Sequence, residues 1–263
     1  MIETISLQGT LHQKYDVANQ DAVRTFDTKG YQGLVLCDGV SLKSDWTFSN
    51  SEIAAKLVSQ AASMFLEETL QENMETEELE QLVREAFVFA EHYLQENLRK
   101  VDIPLFDCQT TLIVALYAKG RLIGGIAGDG GILFQCQSDR FGMMITHLKT
   151  SSRVSPISDQ FAWNFFVMDN QQDPVRSVIA ATDGVFDQLI YVNSQDDQQI
   201  SGNKELIDNL FHLNVTAPQN PHQWLLDCIE GLESTDDKTI AVLIDESEAF
   251  NQEKQPETNP NEA

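Results

Sequence analysis

The chain has 263 residues, 42% of them hydrophobic, enough for one large domain with a continuous core. Its 17 lysines and arginines face 41 aspartates and glutamates, a formal net charge of −24 with no basic cluster, which argues against nucleic acid or an anionic membrane as partner. No segment approaches the roughly 20 apolar residues of a membrane span. The N-terminal MIETISLQGTLHQ lacks the basic and apolar regions of a secretory signal, and the four cysteines (Cys37, Cys108, Cys136, Cys228) form no C-x-x-C pair, so a reduced cytoplasmic protein is expected.

Residues 1–50 read as short strands and turns, with the apolar run GLVLC ending at Asp38-Gly39. Residues 51–70 read as an amphipathic helix capped by Ser51, with Ile53, Leu57, Ala61, Met64 and Phe65 as its apolar face. Residues 76–100 read as a second helix. Thr76 is its candidate cap, and Leu79, Leu82, Val83, Ala86, Ala90, Tyr93 and Leu94 form its stripe. Strands are then expected at 110–118, 122–127 and 132–136, separated by Lys119-Gly120 and by Gly128-Asp129-Gly130-Gly131. Further strands are expected at 161–168 and 175–182, helices near 203–213 and 221–232, and a last strand at 239–244. From Asp245 the composition turns to Glu, Asn, Gln and Pro without apolar period, so 1–246 is read as one domain and 247–263 as a disordered acidic tail. Strands in meanders and helices in pairs favour sheet packed on sheet with helices outside.

Five places put an aspartate at a strand boundary: Asp21 in NQDA, Asp38 after LVLC, Asp129 after GGIAG, Asp183 after VIAAT, and Asp236 before the last strand. Asp38, Asp129 and Asp183 are each followed by glycine, and one such pair alone reads as a turn. The set reads differently. Mg²⁺ and Mn²⁺ take oxygen ligands, and strand ends can aim carboxylates from distant parts of the chain at one point. Two such ions can activate water and clamp a phosphoryl group. Rival machinery is missing from the sequence: no G-x-S-x-G, no phosphate loop ending G-K-[ST], and no H-E-x-x-H among the histidines at 12, 92, 147, 212 and 222.

Taken in order, NQDA, LVLCDGVS, CQTTL…GGIAGDGG, VIAATDGVFDQL and DDKTIAVLI resemble the motifs of the metal-dependent serine/threonine protein phosphatases of type 2C, over about residues 5–245. GTLHQKYDVANQDA is most similar to the bacterial branch. The resemblance implies an α+β, four-layer α-β-β-α sandwich: two central antiparallel sheets flanked by pairs of helices. It implies two Mn²⁺ or Mg²⁺ ions, with a weaker third. Asp38 would bridge the ions and Gly39 lend its carbonyl. Asp183 and Asp236 would complete the first metal's ligands, Asp21 would act through water, and Asp129 would serve the third ion. A metal-bridged hydroxide would attack the phosphate ester directly. Asp38, Asp183 and Asp236 are then the catalytic set. The implied partners are a phosphorylated protein substrate and a Ser/Thr kinase, with the chain a monomer. By the same resemblance, Gly184 lets the chain turn away beside Asp183.

The chain departs from the family pattern at several positions. Asp16 stands where many relatives place a phosphate-binding arginine, with Lys14 the nearest cation. Gln20 stands where glutamate is common. VSLKSDWTFSNSEIAA lacks a His-Gly-Gly, Cys108-Gln109 replaces small residues, and FAWNFFVM is less polar than the pattern. Asp16 motivates an alternative: a phosphoprotein-binding or kinase-scaffolding module with the same fold and little turnover. Retention of the metal carboxylates favours the enzyme.

Overall fold

The computed structural model describes residues 1–40, 50–146, 154–192 and 200–246. The expected tail 247–263 and most of the segment after Asp38-Gly39 lie outside them. The chain opens with β1 (Ile2–Leu7), a short helix α1 (Thr10–Lys14), β2 (Asp21–Thr28) and β3 (Tyr31–Val40). The helices α2 (Ser51–Thr69) and α3 (Thr76–Lys100) follow. Seven strands come next, β4 (Gln109–Thr110), β5 (Leu112–Ala118), β6 (Arg121–Ala127), β7 (Gly131–Cys136), β8 (Phe141–Ile145), β9 (Asn164–Met168) and β10 (Val175–Ala181), divided between two sheets. The helix α4 (Asp183–Leu189) and a ribbon of β11 (Ile190–Val192) and β12 (Ile200–Gly202) lead to α5 (Lys204–Phe211), α6 (Leu213–Thr216), α7 (Pro221–Glu230) and β13 (Lys238–Ile244).

Two antiparallel sheets form the centre, in strand orders β1-β13-β10-β7-β8 and β2-β3-β5-β6-β9. Alternation along the strands builds three apolar layers. On β3, Leu34 and Leu36 point between the sheets, while Val35 and Cys37 face α2 and α3. On β10, Val178 and Ala180 point inward, and Ile179 and Ala181 face α4 to α7. On β13, Ala241 and Leu243 point inward, opposite Ile240 and Val242. Both faces of each sheet are therefore covered, which is why these strands read as continuous apolar runs. The expected helix pairs are α2 with α3 on one side and α5 with α7 on the other.

Local details correct the sequence reading. Asn50, not Ser51, precedes α2, and Ser51 instead donates its hydroxyl to the Val40 carbonyl, 3.1 Å away. Glu75, not Thr76, caps α3, through a reciprocal capping box with Glu78. The buried face of α2 is Ala54, Ala55, Val58, Ala61, Ala62 and Leu66; of the expected stripe, Ala61 is buried, Leu57 and Phe65 pack half-buried against the core, and Ile53 and Met64 are exposed. Four alanines make up most of that face against α3 and β3. The α3 stripe is as expected except that Tyr93 is only half-buried, and Phe87, Glu91 and Leu98 join the buried face. Phe87 is fully buried, edge-on to Trp163 at 5.5 Å and Phe165 at 5.1 Å. Phe87→Ala is expected to cost about 4 kcal/mol in denaturant unfolding; a loss under about 1 kcal/mol would mean this layer is not close-packed.

Candidate metal centre

The two sheets meet at one end in a cluster of aspartates. Asp38, Asp129 and Asp183 bring one carboxylate oxygen each within 4.8 Å of one another. They arrive from the end of β3, the β6–β7 turn and the first residue of α4. Asp21 opens β2 and lies directly opposite Asp38 in the strand register. Asp236 sits just before β13, exposed at residue level and outside the close triad, yet near enough for its charge to act on Asp38.

Backbone locks hold these groups. The Asp38 carbonyl accepts from the Thr110 hydroxyl at 2.8 Å and the Thr111 N–H at 2.8 Å, while the Asp38 N–H donates to the Thr111 hydroxyl at 2.9 Å. That is the structural reason for the two threonines in CQTTL. β3 does not stop at Cys37, as the sequence suggested, but runs to Val40, so Asp38 is a strand residue. Gly39 is required by space: a Cβ there would lie 2.6 Å from the Ser51 Cβ. Gly128, at a φ of +125°, adopts a conformation that favours glycine and turns the chain into Asp129.

Asp183 does not leave the strand into a turn but begins a helix, with Thr182 at the N-cap, so its carboxylate meets the positive end of α4. Gly184 has a different use from the expected one. A Cβ there would overlap the Asp237 carbonyl oxygen, so glycine admits the entry to β13. The Thr182 hydroxyl donates to Asp21 Oδ2 at 2.8 Å, tying Asp21 to the residue before Asp183.

Asp237 was not singled out from the sequence as a site residue, yet it joins three segments. Its oxygens accept the Gly9 N–H at 2.6 Å and the Gln20 N–H at 2.5 Å, and Oδ2 lies 2.8 Å from His12 Nδ1. The side chains of His12 and Asp237 are 9% and 2% exposed. The Asp237 carboxylate raises the His12 pKa, favouring the imidazolium. The available signal was an Asp-Asp pair with a histidine in the N-terminal motif.

The electrostatics of the cluster are unfavourable without a cation. Burial, then the charges of Asp183, Asp21, Asp236 and Asp129, push the Asp38 pKa well above the carboxylate range. Burial and the Asp237 and Asp183 charges push Asp21 up to about 8. Desolvation and the Asp183 charge raise Asp236. Like charges opposite each other in a sheet destabilise it. Asp21 Oδ1 is buried with no hydrogen-bond partner among the described residues. Oxygen-only donors, desolvated and mutually repelling, fit a hard divalent cation.

The sequence pattern of the protein phosphatase 2C family matches residues 8–228. The chain belongs to that family. No protein of curated function matches it at sequence level. Among solved structures, the serine/threonine phosphatase Stp1 from Staphylococcus aureus is similar at 17% identity and a TM-score of 0.61, over 94% of this chain and 95% of that one. The Mycobacterium tuberculosis phosphatase PstP/Ppp is similar at 15% identity and 0.59, over 92% and 97%. The catalytic domain of PstP in complex with two manganese ions is similar at 16% identity and 0.58, over 92% and 96%. At these identities the likeness is one of fold. This phosphatase 2C chain has, among its described residues, no helix long and apolar enough to cross a membrane.

The raised carboxyls predict how stability depends on pH. A carboxyl whose folded pKa exceeds its unfolded value of about 3.9 binds protons more tightly when folded. Its contribution is therefore lost as pH rises through the interval up to about 8 for Asp21. His12, also raised, changes in the same direction. The metal-free protein is expected to melt at progressively lower temperature from about pH 5 to pH 8, and Mn²⁺ to raise the melting temperature most at the alkaline end. A flat metal-free profile would contradict a cluster of desolvated carboxylates.

Proposed function

We propose that this phosphatase 2C chain hydrolyses phosphoserine and phosphothreonine esters in proteins with two Mn²⁺ or Mg²⁺ ions, a weaker third binding beside them. The observation that carries the reading is the convergence of Asp38, Asp129 and Asp183 within 4.8 Å, backed by Asp21 and Asp236. Asp38, the Gly39 carbonyl, Asp183 and Asp236 would hold the ions, with Asp21 acting from behind and Asp129 serving the third. Bound there, the ions would acidify a coordinated water and offset phosphate charge. Thr110 and Thr111 fix the backbone of Asp38, and Thr182 holds the Asp21 carboxylate, so the site is preorganised before substrate arrives. Cys37, beside Asp38, is fully buried and burial pushes its thiol pKa well up, so it makes a poor covalent nucleophile. Residues 1–246 act as one domain, with 247–263 appended.

Asp16 has a structural use that suits its identity. It follows α1 at a φ of 56°, the left-handed region where Asp is favoured, and the Val17 N–H returns to the His12 carbonyl at 2.9 Å. Asp16→Arg is expected to lower KM for a phosphopeptide several-fold by adding a bidentate phosphate ligand, at a stability cost of about 1 kcal/mol. An unchanged KM would mean that phosphate is held elsewhere.

The reading is tested by stripping the protein with chelator and measuring hydrolysis of a phosphothreonine peptide as Mn²⁺ is restored. Turnover that returns with Mn²⁺ is expected. A protein that binds the phosphopeptide but never turns it over would instead be the binding module that Asp16 suggests.

A further inference from the structure

We propose that the groove between β8 and α5 docks a basic segment of the phosphoprotein substrate, about five residues from the phosphorylated position. The inference rests on the phosphatase reading above.

β8 is the outer strand of its sheet and among the described residues pairs only with β7. Its two ends face different surroundings. Ile145 lies opposite Gly131, two residues after Asp129, and the Thr146 hydroxyl donates to the Gly128 carbonyl at 2.5 Å. That end adjoins the aspartate cluster. At the other end, Phe141 lies opposite Gln135 and opens on a groove of about 380 Å³. Phe141 is 54% exposed, while Ile207 and Phe211 form a buried apolar floor.

The rim is acidic. Asp139, Glu205 and Asp208 border the groove with a single ammonium, Lys204. Arg176 Nη2 donates to Asp139 Oδ1 at 2.7 Å, and His212 Nδ1 lies 3.5 Å from Asp208 Oδ1. Both carboxylates nevertheless stay over 70% exposed, at 73% and 72%, with acceptor sites left for a guanidinium or ammonium. A chain of net charge −24 also attracts cationic segments over a distance.

Length connects the two ends. Five extended residues span roughly 17 Å, the length of β8 itself. A peptide added along the open edge, with its phosphate at the aspartates, would place a residue about five positions away over Phe141. An arginine or lysine there can lay its stem on the ring and its charge among the rim carboxylates.

The test compares two phosphothreonine peptides on the full chain with Mn²⁺. One carries Arg-Leu five residues from the phosphate, the other Gln-Leu at the same place. The Arg peptide should show a KM about ten-fold lower, an advantage that shrinks with salt and disappears in Phe141→Ala and in Asp208→Asn. Hydrolysis of p-nitrophenyl phosphate should not change in either variant. Equal KM values for the two peptides, or an advantage retained in both variants, would overturn the docking site. Should neither peptide nor p-nitrophenyl phosphate be hydrolysed, the phosphatase reading fails by itself. Fluorescence anisotropy of the labelled Arg peptide then decides the groove: binding lost in Phe141→Ala supports it, and no binding overturns it.

Discussion

Asp183→Asn is expected to lower Mn²⁺-dependent turnover on the order of 10²–10³-fold while leaving the fold intact, the scale on which losing one group aimed at developing charge is felt. Asparagine keeps the size of the side chain and suits the first turn of α4. It removes one of the three carboxyl groups whose oxygens lie within 4.8 Å of one another. The metal-free protein should melt no lower than the parent, because a repulsive partner of Asp38 has gone. Mn²⁺ should bind more weakly. Steady-state rates against Mn²⁺ concentration, with melting curves alongside, separate lost chemistry from lost folding. Full Mn²⁺-dependent activity in the variant would show that Asp183 is not a ligand.

Asp237→Ala should act through stability instead. Its carboxylate satisfies two buried backbone N–H groups and one buried imidazole. Deleting it leaves those donors unanswered, a situation that costs about 3–5 kcal/mol when one member of a buried charged pair is removed. Asp237→Asn keeps one acceptor oxygen and should fall between parent and Ala. Urea unfolding near neutral pH measures both. A loss within about 1 kcal/mol for Asp237→Ala would put the pair in the class of exposed ion pairs and remove its claim to anchor Asp21 and Asp236.

The layers were legible because apolar periodicity carries them. VIAA in β10 and TIAVLI in β13 are continuous apolar runs since both faces of the sheet are covered. The turns Lys119-Gly120 and Gly128 were legible from glycine, and both glycines have positive φ. Several short elements were not, α1, α4 and β8 among them. α1 is five residues long, too short to show a period, and it is held by Leu11 N–H on the Thr235 carbonyl and by the His12–Asp237 pair. α4 starts within an apolar run, so strand and helix could not be separated there by hydropathy. β8 alternates weakly because one edge and part of a face are open.

The aspartates were legible as a set, because five carboxylates at strand boundaries have little use as turns alone. Which of them approach most closely was not: Asp38, Asp129 and Asp183 each bring an oxygen within 4.8 Å of one another, with Asp236 near enough for its charge to act on Asp38. Spacing along a chain does not report which strand ends meet. Asp237 escaped notice because its work is done through two backbone N–H groups, which leave no mark in sequence.

The most direct measurement is calorimetric titration of Mn²⁺ into the chelator-stripped protein and its Asp38→Ala variant near neutral pH. Binding of at least two ions to the parent, with the tighter event lost in the variant, is the predicted result. No binding to the parent, or the same isotherm for both proteins, would contradict a divalent-cation site built around Asp38.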